Sequence, residues 1–441
     1  MTRQPNGKLT KAQGYQSQLL HAMSNHLPQR GLSLMSKDHR VRWTDRLLTV
    51  AAILMVWSNA SVVGDAFAAA REVVVSMYRS RRRPGRHLGG FLQRLCPSTG
   101  RLLGVLVPAL RATGVKAAGP AWRWKRWVLM AVDGTRIDCP RTASNEQAFG
   151  CAGRKKTAPQ QFLTTVFHIP TGLIWDWRRG RSDAAERDHL RAMIASLPNN
   201  TLLLADAGFT GYDLLRSVMD QGLDFLIRVG ANVTLLRRLG YGVREAHGTV
   251  YLWPQAKQDE DPLVLRLVRI RDGAKQRCLL TTILDPTVLP DAAANALYRL
   301  RWKVEVSFRS LKQTMRRRKM LSTGAANARV ELDWAMVGLW LLGLMAVDQV
   351  ARRDKGRVSV AGALRSVRLW MRRRSGRPPA RGLRGALRVA VVDRYKRTRP
   401  KQARGWPHKK REKPPGTPKV RMATQAEVRK AKGLPHANKA A

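Results

Sequence analysis

Two aspartates in this chain each follow a short apolar run. Trp127-Val-Leu-Met-Ala-Val leads into Asp133, and Thr201-Leu-Leu-Leu-Ala leads into Asp206. Each has a glycine close behind it, Gly134 and Gly208. A strand that closes on a carboxylate fixes that carboxylate rigidly, and a nearby glycine lets a phosphate or metal approach the backbone. One such acid alone reads equally well as a turn residue. Two on adjacent strands make part of a site for hard divalent cations, which take oxygen ligands. Glu305 supplies the third carboxylate. Three acids suffice to hold two Mg²⁺ ions, with Mn²⁺ as a substitute. Two ions about 4 Å apart stabilise both the attacking and the leaving oxygen of a phosphodiester displacement. Asp133, Asp206 and Glu305 are therefore the candidate catalytic and metal-holding residues.

Glu305 stands in the pattern Tyr298-x2-Arg301-x3-Glu305-x6-Lys312. At helical spacing these residues and Phe308 share one face. Arg301 can grip a phosphate by a fork and Lys312 as a point charge, while Tyr298 can hydrogen-bond a phosphate or support the site. A plain amphipathic helix with a salt-bridged surface has the same spacing, so the face gains meaning only beside the two strand acids.

The elements that must position these groups are legible by pattern. Residues 161–169 and 173–177 read as a hairpin turned at Pro170-Thr-Gly172. Ser182 opens a helix with acids in its first turn, and Pro198 with two asparagines stops it. Residues 212–221 read as a helix and 224–229 as a strand. The order strand, strand, strand, helix, strand, helix, strand is that of a ribonuclease H-like α/β fold. This domain is expected over 122–352, with a β-rich insertion at about 231–285. One long helix is expected over 292–315, and a second, very apolar one over 332–352. Residues 1–118 have helical texture, interrupted by the basic cluster at 79–86, which reads either as a phosphate grip or as a solvated charge run. Residues 353–441 form a basic C-terminal region expected to be largely a disordered tail, its Pro- and Lys-rich stretch 406–419 being unable to build a core.

Composition bounds the partners. The 441 residues carry 81 Lys and Arg against 30 Asp and Glu, a formal charge of +51, which points to a polyanion, nucleic acid first. Residues 351–441 hold 29 Lys and Arg against 4 acids, so the remainder is strongly basic as well. The four cysteines, Cys96, Cys139, Cys151 and Cys278, form no CxxC pair and no zinc pattern, and they suit a reducing cytoplasm. Apolar runs are shorter than the ~20 residues that cross a bilayer, so no membrane is expected. His168 is expected to be packed in its strand, Asp188 to lie at the surface, and the loop 150–156 to be a plain basic loop.

Together the strand acids and the Tyr-Arg-Glu-Lys spacing resemble the DDE transposases of bacterial insertion sequences, in the branch marked by that signature. The Asp-Gly-Thr and Asp-Ala-Gly-Phe contexts are similar to that branch too, as is a β insertion between the second Asp and the Glu. The resemblance covers about 122–352. It implies a ribonuclease H-like catalytic fold preceded by an α-helical, DNA-end-binding domain at 1–118. It implies Mg²⁺ dependence and cut-and-paste movement of an element with terminal inverted repeats. The implied partners are double-stranded DNA, both element ends and target, and a second copy when ends are bound, in the cytoplasm with the nucleoid. Trp302 either helps hold a flipped base, as in hairpin-forming relatives, or is a core residue. The competing functions are a nuclease without strand transfer, against which the complete signature argues, and a captured protein that only binds DNA, against which the three acids argue.

Overall fold

The computed structural model describes residues 14–34, 38, 40–78, 83–152, 158–272, 275–373, 376–392 and 416–434. Most of the basic cluster at 79–86, the loop residues 153–157 and the Pro-rich stretch up to 415 lie outside the described residues.

The first helices are α1 (Tyr15–Ser24), α2 (Asp45–Trp57), α3 (Val63–Met77) and α4 (Leu88–Ala118). Helix α2 is buried almost all round, which marks an interior helix rather than an amphipathic surface one. Its neighbour is α10 (Ala325–Gln349), apolar on every face. Both α10 and the stretch from Leu88 to Trp122 are long and apolar enough to cross a membrane. However, 89% of the apolar window of α10 is buried inside the fold, where it serves as the central core helix. Trp57 Nε1 donates to the Gly338 carbonyl, and Trp334 Nε1 to Thr99 Oγ1, so α2 and α4 are tied to α10 in one shared apolar core. The first 118 residues therefore do not stand apart from the helical layer that backs the sheet.

The strands are β1 (Val128–Asp138), β2 (Gln160–His168), β3 (Leu173–Gly180), β4 (Thr201–Ala205), β5 (Asp224–Val229), β6 (Thr234–Arg237), β7 (Thr249–Leu252), β8 (Leu263–Asp272), β9 (Lys275–Thr281) and β10 (Lys419–Met422). They form one sheet in the order β10-β6-β7-β8-β9-β5-β4-β1-β2-β3. Strands β1, β2 and β3 are antiparallel, and β4 and β5 run parallel to β1. Alternating side chains feed two cores: Leu129, Ala131, Leu202 and Leu204 face the helical layer with α10, whereas Val128, Met130, Val132 and Leu203 face the other way. Between the strands lie α5 (Ala143–Phe149), α6 (Glu186–Arg191) and α7 (Tyr212–Asp220).

Several features differ from the sequence expectation. The helix expected from Ser182 to Pro198 is only α6, followed by a 3-10 turn at Ile194–Ser196. The insertion is no separate unit, because β9 pairs with β5 and its strands lengthen the catalytic sheet. The helix expected over 292–315 is broken into α8 (Asp291–Leu300), α9 (Lys303–Arg309) and a π-helical turn at Ser310–Thr314. The break lies at Arg301–Trp302, where Arg301 N–H bonds the carbonyl three residues back, tightening the turn. The C-terminal region, expected to be largely disordered, contributes α11 (Val360–Arg372) and α12 (Gly382–Arg388) to the helical core. It also contributes β10, parallel to β6, and α13 (Gln425–Lys432), whose start is closed by a Thr424–Glu427 capping box.

Strand β3 is locked to α10 by Asp333, which is buried and takes a forked pair from Arg179 at 2.9–3.0 Å and a bond from Trp177 Nε1 at 3.1 Å. Asp333→Ala should cost about 3 kcal/mol, because it strands a partly buried guanidinium. Urea denaturation of the variant measures it, and a loss below ~0.5 kcal/mol would show that the pair does not hold sheet to helix.

Candidate active site

Parallel pairing sets the site. Val128 to Ala131 of β1 stand opposite Thr201 to Leu204 of β4. Carried two residues further, the same register brings Asp133 opposite Asp206. Both share the parity of Ala131 and Leu204, so both belong to the face covered by the helical layer. Asp206 follows the last residue of β4 and caps a short 3-10 turn, accepting from Gly208 N–H at 2.8 Å. Asp133, expected at a strand end, lies mid-strand: β1 runs on to Asp138 because β2 still pairs with it after β4 has stopped. The end of β4, not of β1, opens the space beside Asp133.

Helix α9 packs over β1, with Val304 and Phe308 in the core and Glu305 between them in sequence at the rim. Arg301, at the helix break, reaches two of the acids. Its Nη1 is 3.4 Å from Asp133 Oδ2, and its Nη2 is 3.6 Å from Glu305 Oε1. Burial raises the Asp133 carboxyl to about 6, the neighbouring Asp206 and Glu305 push the same way, and Arg301 and the Gly134 N–H oppose them. The three acids are thus one electrostatic unit. Lys312, on the π-helical turn, donates to Thr135 Oγ1 of β1 at 2.6 Å, and burial lowers its ammonium. Tyr298 is buried beneath Arg301, whose guanidinium lies 5.8 Å from the ring centroid. Trp302 is not a core residue, being 58% exposed beside the site, with Val306 exposed one turn later.

The sequence reading passed over Glu186. Seen there only as an acid in a helix's first turn, it opens α6 after β3 and lies against the same strand ends. A Cβ built on Gly134 would fall 2.5 Å from Glu186 Oε1, and one on Gly208 would fall 3.7 Å from Oε2. Burial raises its carboxyl to about 7, with Asp206 and Asp133 adding to the rise and Arg136 opposing it. No local signal separates it from Asp188, which is exposed and pairs with Arg191 at 3.2 Å. His168 is packed as expected: its ring bonds Thr171 and the Trp122 carbonyl, and burial drops it to about 4.

Among the described residues no three His, Cys, Asp or Glu side chains stand close enough to hold one ion as they are oriented. The donor set itself suits a hard cation, being all carboxylate oxygens. Burial first and the neighbouring acids second make the charged form of Asp133 costly, a cost that a cation would relieve, and a guanidinium already lies between two of the acids.

Acids gathered beside a parallel strand pair and flanked by cations from the following helix fit one known domain. Residues 125–341 match the family model for the transposase DDE domain. Over these residues the chain is similar to the DDE transposases of bacterial insertion sequences. It is 26% identical over 252 residues to the transposase InsG for insertion sequence element IS4 of Escherichia coli (strain K12), an alignment covering 54% of this chain and 56% of that protein. It thus spans a little over half the length of that relative. A solved structure of the piggyBac transposase synaptic complex with hairpin DNA is also similar, at 10% identity and a TM-score of 0.42, over 86% of this chain and 82% of that one.

The crowding has a measurable consequence. An acid raised from 3.8 to about 6 favours the folded state while neutral and loses that advantage as pH climbs through 6. Metal-free Asp133→Asn should therefore be more stable than the parent at pH 8, by about 1–2 kcal/mol, with the margin closing near pH 4. Denaturation in EDTA across that range tests it. A margin independent of pH would mean that the folded state does not raise the Asp133 carboxyl.

Proposed function

We propose that this chain cuts DNA at insertion-sequence ends and joins them to target DNA, using Asp133, Asp206 and Glu305 as ligands for divalent cations, two Mg²⁺ with Mn²⁺ as a substitute. The observation that carries the reading is the register that sets Asp133 against Asp206 on the face where Glu305 arrives. The strand order β3-β2-β1-β4-β5, antiparallel through β1 and parallel beyond it, supports a ribonuclease H-like catalytic core.

When bound, the ions would supply charge stabilisation for the attacking and leaving oxygens. The chain's own side chains do the rest. Asp133 and Asp206 are fixed by strand and turn, so their oxygens keep their places as substrate arrives. Arg301 neutralises Asp133 and Glu305 in the free protein, and it can turn its fork to a phosphate once a cation takes over that charge. Lys312, held to Thr135, aims a second positive charge beside β1, where the scissile phosphate would lie. Tyr298 packs under Arg301 and sets its height. Exposed Trp302 offers a flat apolar surface to a base next to the cut. The basic helical region 1–118 is assigned to end recognition, and a second copy to the other end, as in a homodimer on paired ends.

The test uses duplexes bearing the inverted repeats that flank the gene. Asp133→Ala, Asp206→Ala and Glu305→Ala should each lose Mg²⁺-dependent cleavage while still retarding DNA in a gel. Arg301→Ala and Lys312→Ala should impair cleavage more than they lower melting temperature. Full cleavage by the Asp206→Ala protein would remove the site.

A further inference from the structure

We infer that Glu186 is a fourth carboxylate of this site and a direct ligand for its divalent cation, and that Gly134 is glycine in order to admit it. The inference rests on the proposed reading of the site and extends it.

Glu305 reaches the acids from the helical layer. Glu186 comes from the opposite side. Helix α6 sends Leu190 into the second core, the one formed by Val128, Met130 and Val132. Gly134 follows Asp133 in a strand, so a side chain there would point to that same second face. There it would meet the Glu186 carboxyl at 2.5 Å and Phe162 at 2.7 Å. Neither glycine has a positive φ, so backbone conformation does not require them. At Gly208 the tight neighbour is Asp206 Oδ1, 3.0 Å from the built Cβ, with Glu186 Oε2 at an ordinary contact of 3.7 Å. The space behind Asp133 is thus filled by a carboxylate rather than left open for substrate.

Burying a fourth acid beside two others is costly unless a cation repays it. The cation nearest by charge, Arg136, is committed elsewhere: its Nε donates to the Ser182 carbonyl, and its guanidinium lies over Phe162. The Glu186 carboxyl lies against Gly134, the residue after Asp133.

The experiment is Mn²⁺ binding to the full chain, without DNA, by titration calorimetry and by the loss of free Mn²⁺ paramagnetic signal. Glu186→Gln should weaken binding about tenfold or more. Asp188→Asn, two residues away and exposed, should bind as the parent does. Gly134→Ala should weaken binding as Glu186→Gln does, and the double variant should be no worse than either, since both act by removing one ligand. Should Gly134→Ala fail to fold, Glu186→Asp keeps the charge but withdraws it by one methylene, and it should also weaken binding. Parent-like affinity in Glu186→Gln, where Asp206→Asn has lost affinity, overturns the fourth ligand alone. Parent-like affinity in both variants overturns the reading of the whole site.

Discussion

Parallel pairing of β1 with β4 is the constraint on which the rest depends, because it forces two carboxylates side by side. Like charges a few ångströms apart repel, and partial burial strengthens the repulsion. The fold must hold both acids in place against it. It does so with strand hydrogen bonds on either side of β1, with a capped turn after β4, and with a guanidinium set between Asp133 and Glu305. The carboxyls of Asp133 and Glu186 are raised by burial first, with the neighbouring acids adding to the rise.

Rigidity at the strand ends comes from the layer behind them. Helix α10 is apolar all round and is held by α2, α4 and β3, so it cannot slide without exposing large tryptophans. The Asp333–Arg179 pair closes the same joint on the sheet side. Helix α9, which carries Glu305, packs between this layer and β1. Arg301 at its break and Lys312 on the π-helical turn at 310–314 both reach β1. A π-helical turn often marks a functional site, and here it carries the lysine.

Much of this was legible in the sequence, for physical reasons. Asp133 and Asp206 end runs too apolar to be anything but buried, and alternation then fixes their face. Glu305 with Arg301 and Lys312 follows from helical spacing, even though the helix proved broken, because the break falls at Arg301 and leaves Glu305 on the face over β1. Glu186 was not legible as a site residue. Its place depends on which way α6 packs, and three acids lie within six residues there, Asp183, Glu186 and Asp188. The strand β10 escaped for a similar reason: four residues between basic, Pro-rich chain carry no periodicity, and only the open edge of β6 gives them a partner. The union of the insertion with the catalytic sheet is a tertiary event between β5 and β9, about 50 residues apart, which no local pattern encodes.

The sign of the charge differs between the molecule and its site, and that difference has a role on the proposed reading. A chain of +51 draws DNA to much of its surface by counterion release, which is blind to sequence. The acid cluster, by contrast, repels a phosphate. Binding and cutting are therefore separated: DNA can be held widely, but its backbone is kept from the strand ends until the acids are neutralised. Arg301 neutralises two of them only in part and from one side. On that reading a divalent cation held by the same acids would neutralise them more fully, leaving Arg301 to pair with the phosphate. Cleavage then waits on the joint presence of DNA and metal, a safeguard for an enzyme that would otherwise hold a cutting site against every duplex it touches.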